Sequence, residues 1–202
     1  MSLIALIDYG AGNLTSVRKG FAAAGVNLVT PSTPRELDDA AAIVVPGVGH
    51  FAATLALHDG WREAILRRVE AGSPLLGICL GMQWLFEASE ESPDAKGLGL
   101  LRGSCIRVRV EHPLKVPHVG WNTIDTIERT SLLADIPDGS FVYFTHGYAA
   151  PVTADCIATT THGKVFAAAV QREQVCGVQF HPEKSSTAGL QILRNFARLA
   201  RS

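Results

Sequence analysis

The chain has 202 residues, 47% of them hydrophobic, with 18 Lys and Arg against 19 Asp and Glu and a formal net charge of −1. That length suits one ordinary domain with a substantial core, and the balanced charge leaves no basic footprint for a nucleic-acid backbone. No apolar run approaches the ~20 residues that cross a bilayer, so a soluble, cytoplasmic protein is expected, without nucleic-acid or membrane partners.

Leu3 to Ile7 is a continuous apolar run, too short for the apolar core of a signal peptide, and reads as a first strand. It enters Asp8-Tyr9-Gly10-Ala11-Gly12-Asn13, after which Leu14, Val17 and Phe21 recur at helical spacing up to Gly25. The glycine turn lacks the third glycine and the later acidic partner of a dinucleotide fingerprint, and Asn13 is simply a helix N-cap. A second strand is predicted at Asn27 to Thr30 and a third at Ala42 to Val45. The third stops at Pro46-Gly47-Val48-Gly49-His50, whose glycines let the peptide at Val48 turn and present N–H groups to a guest. Trp61 to Ala71 is an amphipathic helix with Ile65, Leu66 and Val69 on one face, ending at Gly72.

Next comes Pro74-Leu75-Leu76-Gly77-Ile78-Cys79-Leu80-Gly81-Met82-Gln83, in which apolar residues run into a cysteine flanked two positions away by glycines, with a helix to follow. That is the layout of a nucleophile elbow, a tight strand-to-helix turn that holds a reactive side chain clear of the sheet. A helix N-terminus also favours thiolate over thiol. The bland alternative is a buried structural cysteine in an α/β core.

Beyond the predicted helix at Leu80 to Glu87, Ile106, Val108 and Val110 alternate with charged residues as in a half-exposed strand. Further strands are expected at Val119 to Ile127, Ser140 to Thr145, Cys156 to Thr160, Val165 to Val170 and Val175 to Phe180. Hairpin signals stand at Pro137-Asp138-Gly139 and His162-Gly163-Lys164. A last helix, about Thr187 to Arg201, places Leu190, Leu193, Phe196 and Ala197 on one face. These elements predict one three-layer α/β domain over residues 1–202: a mostly parallel central sheet flanked by helices, with a smaller antiparallel element from the second half.

Cys79, Cys105, Cys156 and Cys176 form no Cys-x-x-Cys pair, and the seven histidines form no His-x-His or His-Glu-x-x-His spacing. Thiols are expected, and neither metal nor cofactor. The last predicted strand instead runs into His181-Pro182-Glu183-Lys184. A histidine and a carboxylate two residues apart on an extended segment can point to one rim, and strand ends of a parallel sheet share a rim with the elbow. Cysteine chemistry needs a base for the thiol proton and a group to orient that base. Cys79, His181 and Glu183 fill those roles.

The Gly-x-Cys-x-Gly elbow followed far downstream by His-Pro-Glu resembles the class I glutamine amidotransferases. Asp8 to Asn13, Pro46 to Gly49, Pro117-His118-Val119-Gly120-Trp121-Asn122 and His181 to Ser185 narrow the resemblance to the glutaminase subunits of imidazole glycerol phosphate synthase. The resemblance implies that Cys79 attacks the side-chain amide of glutamine, with His181 as acid and base and Glu183 holding it. It implies an oxyanion hole from N–H groups of Leu80 and of Val48 or Gly49, with a peptide near Val48 that rotates when the partner's substrate binds. Gly47, Gly49, Gln83, Gly147 and Tyr148 would contact glutamine, Gly147 standing where relatives usually carry serine or threonine. The implied partner is a (β/α)₈-barrel cyclase subunit that receives the ammonia, faced by Asn13, Trp121, Tyr143 and Lys184. Two rivals are a glutaminase serving anthranilate or pyridoxal phosphate synthesis, against which the first and third of these motifs speak, and a non-catalytic binding subunit.

Overall fold

The computed structural model describes residues 3–58 and 60–201. In chain order the elements are β1 (Ile4–Leu6), α1 (Leu14–Ala23), β2 (Leu28–Val29), β3 (Ala42–Val45), α2 (Trp61–Glu70), β4 (Leu75–Ile78) and α3 (Leu80–Leu85). They continue with β5 (Ala88–Ser89), β6 (Ser104–Arg107), β7 (His118–Thr123), β8 (Asp125–Thr126), β9 (Phe141–His146), β10 (Tyr148–Ala149), β11 (Cys156–His162), β12 (Lys164–Arg172), β13 (Val175–Val178) and α4 (Ser186–Leu199). Eight strands form the main sheet in the order β2-β1-β3-β4-β13-β12-β11-β8. From β2 to β13 all neighbours are parallel, while β12, β11 and β8 continue the same sheet antiparallel.

The continuous apolar runs of β1, β3 and β4 follow from burial on both faces. Ile4, Leu6, Val44, Leu76 and Ile78 pack into one cluster with Val17 and Phe21 of α1 and Ile192, Leu193 and Phe196 of α4. Their neighbours Ala5, Ile7, Ile43, Val45 and Leu75 pack on the other face with Ile65 and Val69 of α2 and Met82, Trp84 and Leu85 of α3. Each such fully buried Leu, Ile or Phe contributes about 1.5–3 kcal/mol, so the two clusters pin β4, the strand that ends at Cys79, from both sides.

The second half carries the expected smaller sheets, β5 with β6 and β10 and the antiparallel pair β7 and β9, while β8, β11 and β12 extend the main sheet antiparallel. It departs from expectation in two places. The expected strand Val119 to Ile127 is two strands in two sheets, broken at buried Ile124, whose N–H donates to the Ser140 carbonyl. The alternation at Ile106, Val108 and Val110 does not describe one strand face: β6 ends at Arg107, Ile106 is exposed and Val108 is buried. Of the two hairpin signals, His162-Gly163-Lys164 closes β11 on β12 with Gly163 at φ +75°. Pro137 to Gly139 is a turn leading into β9, which pairs with β7 rather than with the preceding β8.

Candidate active site

Cys79 follows the last residue of β4 at φ 53°, ψ −106°, a positive φ that costs a non-glycine residue of order 1–3 kcal/mol. The glycines around it are required by contact. A Cβ at Gly77 would lie 2.6 Å from the Gly81 carbonyl oxygen, and one at Gly81 would overlap the Val45 carbonyl oxygen. The elbow is thereby wedged between β4, α3 and the end of β3. Gly47 is equally confined: a Cβ there would overlap the Tyr9 hydroxyl and sit 2.8 Å from Leu80 Cβ. The turn at Gly12, with φ +137°, packs against Gly47, so the Gly10 to Gly12 turn supports the Pro46 to Gly49 loop.

His181 leaves β13 extended, and its N–H donates to the Tyr143 carbonyl at 2.8 Å. Glu183 lies on a 3-10 turn, Pro182–Lys184, rather than on the extended segment expected. The turn brings its Oε1 to 2.8 Å from His181 Nδ1, both side chains being at most 3% exposed. Burial works against the charged imidazolium, but hydrogen bonding and charge from Cys79 and Glu183 outweigh it and raise the His181 pKa to about 9. Among the described residues no aligned hydrogen bond occupies His181 Nε2. Room for Glu183 comes from Gly20 of α1, where a Cβ would lie 2.9 Å from Glu183 Cβ.

Cys79, Leu80, Gln83, Gly49, Thr145, His146, Gly147 and Tyr148 line one pocket together with Glu91. Gly49, Gln83, Gly147 and Tyr148 thus share one pocket, and Gly47 adjoins it through Leu80. The pocket holds about 40 Å³, well under the roughly 300 Å³ of a pre-formed small-molecule site. A larger groove of about 630 Å³ beside Arg109 to Leu114 shares none of these residues. Within the smaller pocket the Leu80 N–H donates to the Gly47 carbonyl at 3.4 Å.

Three side chains here escaped the sequence reading. Glu91 reaches the pocket from the loop after β5 and accepts from the Phe51 N–H at 2.7 Å. Gln179 donates to the Cys79 sulfur at 3.6 Å. His146 forms part of a hydrogen-bonded column: its Nδ1 contacts the Tyr148 carbonyl at 2.9 Å, its Nε2 meets His118 Nδ1 at 3.2 Å, and His118 Nε2 meets Asn122 Nδ2 at 3.4 Å. Burial, with the nearby imidazoles, lowers the pKa of His118 to about 4 and of His146 to about 3, the latter despite its bond to Tyr148. Neutral rings give the column one direction, from the Asn122 amide through His118 and His146 to the Tyr148 carbonyl.

Of the residues expected at a partner face, Trp121 is 53% exposed and meets the Tyr143 ring edge-on at 6.1 Å, and Lys184 Nζ lies 5.7 Å over that ring. Val119 and Phe141 extend this exposed apolar strip on β7 and β9. Asn13 caps α1, accepting from the Ser16 N–H at 3.1 Å.

The family model for class-I glutamine amidotransferases matches residues 5–200. The imidazole glycerol phosphate synthase subunit HisH of Methanothermobacter thermautotrophicus is 43% identical over 201 residues, covering 99% of this chain and 100% of the relative. That of Gloeobacter violaceus is 48% identical over 206 residues, covering 98% and 90%. A crystal structure of a glutamine amidotransferase superposes with a TM-score of 0.77 at 18% identity over the full length of both chains, a likeness of fold. The chain therefore belongs to the class-I glutamine amidotransferases, among the HisH subunits.

Proposed function

We propose that this chain is the glutaminase subunit of an imidazole glycerol phosphate synthase and that Cys79, His181 and Glu183 are its catalytic triad. The observation that carries the reading is the buried His181–Glu183 contact of 2.8 Å beside a cysteine held at positive φ on a strand-to-helix turn. Cys79 gives its proton to His181 and its sulfur attacks the side-chain amide carbon of glutamine. The tetrahedral intermediate expels ammonia, which takes its proton from His181, and leaves a glutamyl thioester. Water then attacks, His181 receives its proton, and glutamate departs as the thiol is restored. Glu183 keeps Nδ1 of His181 engaged, so that Nε2 handles the protons.

The oxyanion hole combines the Leu80 N–H with an N–H of Val48 or Gly49. In the present conformation the Gly47 carbonyl occupies the Leu80 donor, and the pocket is small. Rotation of the Gly47–Val48 peptide frees that donor, turns the Val48 N–H inward and makes room for glutamine. This supports a resting state that the partner releases. Gly49, Gln83, Gly147 and Tyr148 contact glutamine, Gly47 through the backbone it gives the loop, and Glu91 offers a carboxylate to the α-ammonium.

The partner is a (β/α)₈-barrel cyclase, which takes up the ammonia before water does, and it docks over Trp121, Tyr143 and Lys184 with Asn13 at the margin. The chain acts as a single domain in the cytoplasm. The HisH relatives, rather than subunits of anthranilate or pyridoxal phosphate synthesis, support this partner. The test is ammonia release from glutamine with and without the cyclase and its nucleotide ligand. Slow release alone and strong stimulation in the complex are expected; full activity in isolation contradicts the resting state.

A further inference from the structure

The parallel register that pairs Ile78 with Val178 continues past the strand ends, where the Cys79 N–H donates to the Val178 carbonyl at 2.8 Å. The next residue, Gln179, is fully buried beside Cys79, and its side chain bridges two groups. Chemistry decides which end is which. The Tyr148 carbonyl only accepts, so Gln83 faces it with Nε2, at 2.9 Å. The second hydrogen on that nitrogen falls on Gln179 at 3.2 Å, and the atom there must be Oε1. The other end of Gln179 is therefore its amide nitrogen, which donates to Cys79 Sγ at 3.6 Å.

We propose that Gln179 is a positioning residue for amide hydrolysis: its N–H holds the Cys79 sulfur, and its carbonyl ties that sulfur to Gln83 at the pocket wall. This rests on the reading of Cys79 as nucleophile. The sulfur also meets the Thr145 carbonyl, which accepts from the thiol at 3.8 Å. Once the proton moves to His181 that carbonyl faces a negative sulfur and repels it, whereas the Gln179 N–H continues to stabilise it. The titratable groups around the site are Tyr9 after β1, His181 and Glu183 after β13, His146 on β9 and Glu91 after β5. None of them supplies an uncharged amide donor. With both hydrogens of Gln83 Nε2 engaged, Oε1 is the end of Gln83 available to a substrate N–H, so substrate contact and sulfur position meet in one side chain.

Gln179→Glu keeps an acceptor for Gln83 but presents a carboxylate oxygen to the sulfur; Gln179→Met removes both contacts without adding charge. Alkylation of Cys79 by iodoacetamide, followed by mass spectrometry without glutamine or partner, reads the sulfur directly. kcat and KM of the complex read turnover, and melting curves check the fold. Both variants are expected to lose roughly tenfold to a hundredfold in alkylation rate and in kcat, with KM within about threefold, the effect of one hydrogen bond to a developing charge. Impairment confined to Gln179→Met, or wild-type alkylation in both, overturns the proposal. If Gln179→Glu does not fold, wild-type alkylation of Gln179→Met alone overturns it. The glutaminase reading stands or falls separately, on whether Cys79→Ala still releases ammonia.

Discussion

At the scale of single residues, the site is a contest between burial and pairing. His181 and Glu183 are nearly inaccessible, yet their contact and the neighbouring cysteine hold the imidazole pKa at about 9. Because the folded pKa exceeds the unfolded value near 6.5, the stability His181 contributes is fully present below pH 6.5 and is lost as pH rises through about 9. His118 and His146 act in the opposite sense. Their folded values of about 4 and about 3 lie below 6.5, so their contribution is complete above pH 6.5 and is lost as pH falls toward those values. Urea midpoints measured across pH should therefore peak near pH 6.5, and His181→Asn should flatten the alkaline limb while leaving the acidic one. An unchanged alkaline limb in that variant refutes the assignment of that limb to His181. For chemistry, Glu183→Gln keeps the shape but removes the charge, and kcat in the complex should drop about a hundredfold or more with KM little changed.

At the scale of elements, glycines decide where strands and helices can touch. Gly81→Ala drives a Cβ into the Val45 carbonyl and should cost about 1–3 kcal/mol in denaturant unfolding. Gly20→Ala is subtler. Alanine is favoured in a helix interior by roughly 0.5–1 kcal/mol, but here its Cβ would press on Glu183 at 2.9 Å. The expected result is a melting temperature near wild type with reduced kcat; reduced stability with full kcat contradicts it. The elbow glycines and the His-Pro-Glu segment were legible in the sequence because each lies at a set distance along the chain from the group it serves. Glu91, Gln179 and Gly20 were not, because they reach the site through sheet register and helix packing between residues up to 163 apart, Gly20 against Glu183. The break between β7 and β8 stayed hidden for a related reason. Ile124 is buried and preserves an apolar pattern across a change of sheet.

At the scale of the molecule, β4 places Cys79 and β13 places Gln179 and His181 at adjacent strand ends, while β7 and β9 carry an exposed strip that leads to the same histidine. The Tyr143 carbonyl accepts from the His181 N–H, and the Ser185 hydroxyl accepts from the Tyr143 N–H at 2.9 Å. The aromatic face and the His181–Glu183 segment are thus joined through the Tyr143 peptide groups, one bond running to main chain and one to the Ser185 side chain. Trp121→Ala should leave the melting temperature of the isolated chain within a degree or two, since the side chain is exposed. On the docking proposed over Trp121, it should weaken binding to the cyclase by about thirtyfold, as loss of a central aromatic anchor does, measured by titration calorimetry. The most direct test of the whole account is ammonia release by the assembled complex, comparing the wild-type chain with Cys79→Ala at saturating glutamine. Release that disappears with the sulfur, in a variant that still folds and binds the cyclase, is the predicted result; a Cys79→Ala complex that goes on releasing ammonia at the wild-type rate contradicts it.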